Sequence, residues 1–330
     1  MGSCVVLLVR RRECVDYGIR DWVSRLMQLK KLIGVFILLG AFAPALPAQT
    51  GKKNSPLANK ALAVGPQAVA VDPRELVRHA AEAEMENEKT ANSYTYVQRS
   101  ETMKIDGDGK VTSTESETSE VMVLYGEHVE RLIAKNDQPL SAKDAAKVEE
   151  KINKFMDERK NETDEQRKKR LADKQKEEEQ AKAYVAEIAD AYNFTLDGIE
   201  KLNGRDTYKI SAEPRPGYEP KSRFAKFLPK FHFKIWIDTQ DRQWVKLEAE
   251  ALGDASYGLF LFRIHKNSRF TLEQTRVNDE VWLPLHIHGR IDARILIFKS
   301  LNEELDFTYR DYKKYRAEIK LGGTAPVTAP

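Results

Sequence analysis

This sequence predicts an α+β protein made mainly of antiparallel strands, and three observations lead there. Apolar and polar residues alternate with period two from Ser93 onward and again from Phe194 to Tyr309. The links between these runs are short and carry Asn, Asp or Gly, which forces antiparallel neighbours because a parallel crossover takes a dozen residues or more. A helical period appears after Asp72-Pro73 and after Ser141, and returns with Tyr184, Val185, Ile188 and Tyr192.

The chain opens on a leader. Residues Met27 to Lys31 give a basic start, Leu32 to Leu39 an apolar core, and Ala43-Pro44-Ala45 or Ala48 a small-residue cleavage site, so residues 1–48 read as a leader with a secretory signal whose true start is expected at Met27. The apolar core is shorter than the roughly 20 residues of a membrane span. Cys4 and Cys14, the two cysteines, both lie in the leader. The chain beyond Ala48 therefore has no disulfide, no thiolate metal site and no cysteine to carry a lipid. It holds 47 basic and 48 acidic residues, and a net charge of −1 gives no electrostatic footprint for nucleic acid.

Residues 49–70 show neither period and read as a flexible linker. Residues 71–316 form one domain, and residues 317–330 a disordered tail. Asp72 caps a helix whose proline takes the first turn, with Leu76, Val77, Ala80 and Ala83 on one face. Tyr94 and Tyr96, then Val121 and Val123, flank a turn at Asp106-Gly107-Asp108-Gly109. Lys110 and Val111 spoil any resemblance of that turn to a calcium loop.

A helical insertion spans residues 141–192. Ser141 with Asp144 reads as a capping box, and Val148, Ile152, Phe155 and Met156 share a face. From Asp157 to Lys182 apolar residues nearly vanish, which suits a solvated arm that could grip an envelope protein. Asn203-Gly204 then closes a hairpin. Alternation names the buried face of the strands beyond it: Phe233, Ile235, Ile237; Val245, Leu247, Ala249; Leu283, Leu285, Ile287; Ile291, Ala293, Ile295, Ile297; and Leu305, Phe307, Tyr309. Asp241, Gly253-Asp254, Asn278-Asp279 and Gly289 are expected at the turns between strands.

Catalytic motifs are missing after the leader: no G-x-S-x-G, S-x-x-K, H-E-x-x-H, phosphate loop or dinucleotide fingerprint occurs. His286 and His288 share a strand face, but two imidazoles do not close a zinc site, and no metal or cofactor is expected; a hydrolase using them is a remote alternative. The segment Pro214 to Lys230 mixes cations, rings and four prolines, so Tyr218, Phe224, Phe227 and Leu228 either tuck into the core or form a lid over an apolar cavity.

Phe233-Lys234-Ile235-Trp236-Ile237-Asp238, the strand Trp244-Val245-Lys246-Leu247, and Val281-Trp282-Leu283-Pro284 resemble the exported proteins grouped around periplasmic outer-membrane lipoprotein carriers, the LolA-like family. That resemblance, running loosely from Ser93 to Tyr315, implies a strongly curved open sheet, a half-barrel, with helices on its concave side and room there for acyl chains. It implies no catalytic residue. The expected function is a periplasmic, non-enzymatic protein that binds or carries lipid or lipidated protein, with Phe233, Ile235, Ile237, Val245, Leu247, Leu283, Leu285, Ile295, Ile297 and Phe307 lining the cavity. The alternative is an envelope scaffold that uses the arm at 157–182.

Overall fold

A computed structural model describes residues 71–221, 225–257, 262–295 and 299–315 of the chain. The leader, the linker, the tail, Phe224 and Ile297 lie outside the described residues.

Helix α1 (Pro73–Ala91) comes first, capped by the Asp72 carboxylate, which accepts from the Arg74 N–H at 2.9 Å. Strands β1 (Tyr94–Ile105), β2 (Val111–Leu124), β3 (Glu127–Lys135) and β4 (Gln138–Pro139) come next as a meander. Asp106 closes the first turn by accepting from the N–H groups of Asp108 and Lys110. The insertion is a helical hairpin of α2 (Ala142–Lys160) and α3 (Asp164–Ala191). The break between them is written in Thr163-x-x-Gln166, a capping box whose two reciprocal bonds are both made. The arm expected between Asp157 and Lys182 is thus the tip of one helix, a sharp turn and most of a second.

The hairpin β5 (Tyr192–Leu202) and β6 (Arg205–Pro214) turns on Asn203 and Gly204, both at positive φ as such a turn requires. After a 3-10 turn (Ala225–Lys230) come β7 (Phe231–Asp238), β8 (Trp244–Ala251), β9 (Ala255–Tyr257), β10 (Phe262–Ile264), β11 (Arg269–Val277), β12 (Val281–Ile295) and β13 (Lys299–Lys314). All are antiparallel in one 13-stranded sheet of order β4-β3-β2-β1-β13-β12-β11-β8-β7-β6-β5, with β9 and β10 hung on β12. The end strands β4 and β5 do not pair, so the sheet stays open. Extra residues at Asp311, Val245 and Leu285 shift the register on β13, β8 and β12, and bulges of this kind increase local twist and bend a sheet.

Gly289 does not turn the chain. It sits mid-strand in β12 because the Phe270 ring lies on it: a Cβ there would meet Phe270 Cδ1 at 2.7 Å. A residue that looks like punctuation is the gap into which a neighbouring ring fits.

The motifs that carry the family resemblance meet at one end of the sheet. Asp238, 1% exposed, accepts from Arg205 at 2.6 and 2.9 Å and from the N–H groups of Gln240 and Asp241. Burial would raise its pKa, yet these bonds hold it below the ordinary value. The Arg205 guanidinium lies 5.5 Å from the Trp282 ring, whose Nε1 donates to Asp241. Trp-Ile-Asp and Trp-Leu-Pro are therefore halves of one latch tying the β5–β6, β7–β8 and β11–β12 turns.

Candidate functional site

Directly paired residues on neighbouring strands share a face, so the register draws the wall side chain by side chain. One row crosses the sheet as Leu196, Ile210, Ile235, Leu247, Leu272, Ile287 and Phe307. On reaching β1 and β2 it turns polar, with Ser100 and then Glu117. A second row alternates large and small: Phe194, Ala212, Phe233, Ala249, Phe270, Gly289, Leu305, then Thr102 and Glu115. The inner face is thus apolar across seven strands, corrugated by rings beside small residues, and polar on the β1–β2 flank.

Helix α1 lies on this face. Leu76, Val77 and Ala80 pack on Ile210, Ile235 and Ile237, with Phe194, Trp244 and Leu247 around them. Asn87 clamps the far end of the helix: its Nδ2 donates to the Trp282 carbonyl at 2.7 Å and its Oδ1 accepts from the Trp282 N–H at 2.8 Å. Between these points Glu84 accepts from the side chains of Gln243 and Gln274. Burial pushes its carboxyl up to about 7. Of the two helices expected on the concave side, α1 takes it. Helix α2 is held to β3 by ion pairs from Glu127 and Arg131 to Arg159 and Glu149, and these alternate with His128, whose ring meets Tyr96 on the inner face.

The expected lining residues fall into place unevenly. Phe233, Ile235, Ile237, Leu247 and Phe307 stand on the inner wall in register. Val245 is buried, but as the extra residue of the β8 bulge it drops out of the alternation, and Trp244 packs with Leu247 in its stead. Leu285 occupies the β12 bulge, so Leu283 joins Tyr94 and Val281 while Ile287 joins Leu305, Phe307 and Tyr309. Ile295 pairs with Lys299 and Phe262 at the end of β12. Alternation across a bulge reads straight through a place where the chain changes step.

Described residues of the loop from Pro214 to Lys230 pack on the same face. Leu228 is buried with Ala212, Ala225 and Tyr192, Phe227 packs on Phe231 and Ala249, and the Tyr218 hydroxyl donates to Glu187 of α3 at 2.6 Å. Leu228 is thus buried and Tyr218 and Phe227 are half-buried, while Phe224 lies outside the described residues.

The outer face is polar. His286 Nε2 lies 2.7 Å from Asp306 and His288 Nε2 3.2 Å from Glu304, cross-strand neighbours on β13. Among the described residues no group of three or more His, Cys, Asp or Glu could hold a metal ion. An open depression of about 550 Å³ lies over β5–β7, lined by Asp197, Gly198, Ile199, Glu200, Lys209, Ser211 and Lys234. Trp236 faces this side under the ammonium groups of Lys209 and Lys246 at 5.3 and 5.0 Å.

Three similar solved structures illustrate the level of likeness. A putative outer membrane lipoprotein-sorting protein domain from Vibrio parahaemolyticus matches at 9% identity and TM-score 0.32, over 74% of this chain and 95% of that one. A LolA superfamily protein from Nitrosomonas europaea matches at 10% and 0.26, over 75% and 94%. The lipoprotein LppX of Mycobacterium tuberculosis matches at 8% and 0.25, over 72% and 95%. A likeness at this level carries no functional weight. No family model matches the chain, and no curated protein matches it.

Sequence reading missed Phe270, Leu272 and Gln274 on the wall, although Arg269 to Gln274 alternates with period two. It also missed Gln98 and Glu84. A polar residue at an inward position looks like a solvent-facing one, and only the register separates them.

Proposed function

We infer that this is an exported, non-catalytic protein that binds or carries lipid, or the acyl chains of a lipidated protein, on its inner face. The observation that carries the reading is the breadth of the apolar wall, which α1 and the loop residues Phe227 and Leu228 cover with separate, small contacts. Seven strands present an apolar surface, while the helix resting on it contributes three buried apolar side chains, Leu76, Val77 and Ala80. The rest of the attachment is polar and clamp-like, through Glu84 and Asn87. Such a cover can be exchanged for another greasy body, since each acyl CH₂ buried is worth about 0.8 kcal/mol and no polar site is needed.

Native mass spectrometry of the protein purified from its own envelope is expected to show co-purifying lipid, and the delipidated protein to take up a fluorescent fatty acid. A bare protein mass together with no uptake removes the reading.

The helical hairpin supports a second role beside the first. Helix α3 runs 28 residues with no amphipathic stripe, and from Asp164 to Gln180 its described side chains are exposed apart from Arg170 and Gln180, which are half-buried. A polar helix this long that is not part of the sheet's core suits a grip on another envelope protein.

A further inference from the structure

The inner wall has a polar seam where it crosses from β13 to β1. Tyr309, Gln98, Ser119 and Leu132 form one row over four strands, two residues along from the row of Phe307 and Ser100. Tyr309 and Gln98 are 5% and 3% exposed, and they are direct cross-strand neighbours. Among the described residues neither the Tyr309 hydroxyl nor Gln98 Oε1 has a hydrogen-bond partner. The Gln274 Oε1, buried and also without a partner, faces the same side from β11, beyond Pro284.

Leaving a buried polar atom unmatched costs about 1–3 kcal/mol, and apolar residues of the same shape would avoid that cost. Two such atoms side by side on an otherwise greasy wall need a partner. It must bring a donor, because two of the three atoms are carbonyl oxygens that can only accept and the third is a hydroxyl. It must be neutral. The nearby lysines on this flank are committed, Lys104 to Glu115 and Lys135 to Glu117, and the charge of Glu130 acts on Tyr96 and Tyr309. An anionic head would meet negative charge that Lys104 and Lys135, already paired, do not offset.

We propose that the β13–β1 seam is a subsite for the uncharged hydrogen-bonding head of an acyl compound, an amide or hydroxyl group, with its chain laid along Phe307, Leu305 and Ile287. The proposal rests on the lipid-binding reading and sharpens it. Gln98 Oε1 accepts the head's N–H or O–H, and the Tyr309 hydroxyl donates to its oxygen. Amphiphiles suit these two atoms because both are shut off from solvent: the donor arrives with an apolar body that seals the site behind it.

The test uses displacement of a fluorescent apolar probe by three ligands of equal chain length. Dodecanamide carries the donor, N,N-dimethyldodecanamide lacks it, and dodecanoate at pH 8 replaces the head with a charge. The protein is expected to bind dodecanamide about tenfold more tightly than either of the others, on the order of one hydrogen bond. In a variant combining Gln98→Leu with Tyr309→Phe the preference for dodecanamide over the dimethyl compound should vanish. Equal binding of the two amides, tighter binding of dodecanoate, or a preference that survives in the variant overturns the subsite and leaves lipid binding standing. No displacement by any of the three overturns both. Should the double variant fail to fold, the comparison of the three ligands on the unaltered protein decides alone.

Discussion

Glu84 sits where a helix and an apolar wall meet, and its carboxyl is shifted from the ordinary 4.5 to about 7 mainly by burial, with a contribution from Glu88 and opposed by hydrogen bonds from Gln274 and Trp244. A raised carboxyl pKa means that the fold prefers the neutral form. Below pH 4.5 the group therefore costs nothing, between 4.5 and 7 stability falls as pH rises, and above 7 the full cost, on the order of 3 kcal/mol, is in place. Glu84→Gln keeps the shape and removes the charge. Urea titrations should find the variant more stable than the parent at pH 8 and level with it at pH 4. A parent whose stability does not change between pH 4.5 and 7.5 would show that Glu84 is solvated. The same environment explains why Glu84 was not legible in the sequence. There it is one of many glutamates on a charged helix, and its neighbours Gln243 and Gln274 lie 159 and 190 residues away.

The hairpin of α2 and α3 is attached to the sheet by charge more than by burial. Ile152 is the only residue of α2 buried among those described, and Arg159 and Arg170 converge on Glu127 at 3.0 and 3.4 Å. These side chains are half-buried and still partly screened by solvent, so each pair contributes on the order of 1 kcal/mol. Lys168, Lys169 and Lys174 are exposed. Replacing all three with serine should leave thermal stability within about 0.5 kcal/mol of the parent and fatty-acid uptake unchanged. Retention of an envelope protein partner in a pull-down should fall. A loss of uptake in the same variant would tie the hairpin to the lipid site and remove its separate role. At this scale the sequence was informative about type and poor about boundaries. The charged stretch announced a solvated helix, while the break at Asn161–Thr163 lay in a capping box hidden among like residues.

Across the whole molecule, the features readable from sequence were those that repeat locally. Alternation exposed most strands and their buried faces, and Asn203-Gly204 placed a turn where one stands. The steps taken by the bulges at Val245 and Leu285, the polar flank at Gln98 and Ser100, and the choice of helix on the inner face depend on pairings between distant strands that no local period encodes. That same long-range organisation sets how a ligand would enter. Helix α1 spans the wall from Leu76 over β6 and β7 to Asn87 over β12, so an acyl chain seeking the β11–β13 part of the wall competes with the clamp at the Asn87 end. Asn87→Ala leaves the Trp282 N–H and carbonyl without their partner, at a cost of about 1–3 kcal/mol, and removes the clamp just ahead of the turn into β1 while the apolar contact at Leu76, Val77 and Ala80 still holds the other half of the helix. Stopped-flow uptake of a fluorescent fatty acid should therefore be faster in the variant, with the same final stoichiometry and lower stability. Lower stability with an unchanged uptake rate would mean that α1 stays put while the ligand enters, and that the chain reaches the wall past the open β5 edge or the Pro214 to Lys230 loop.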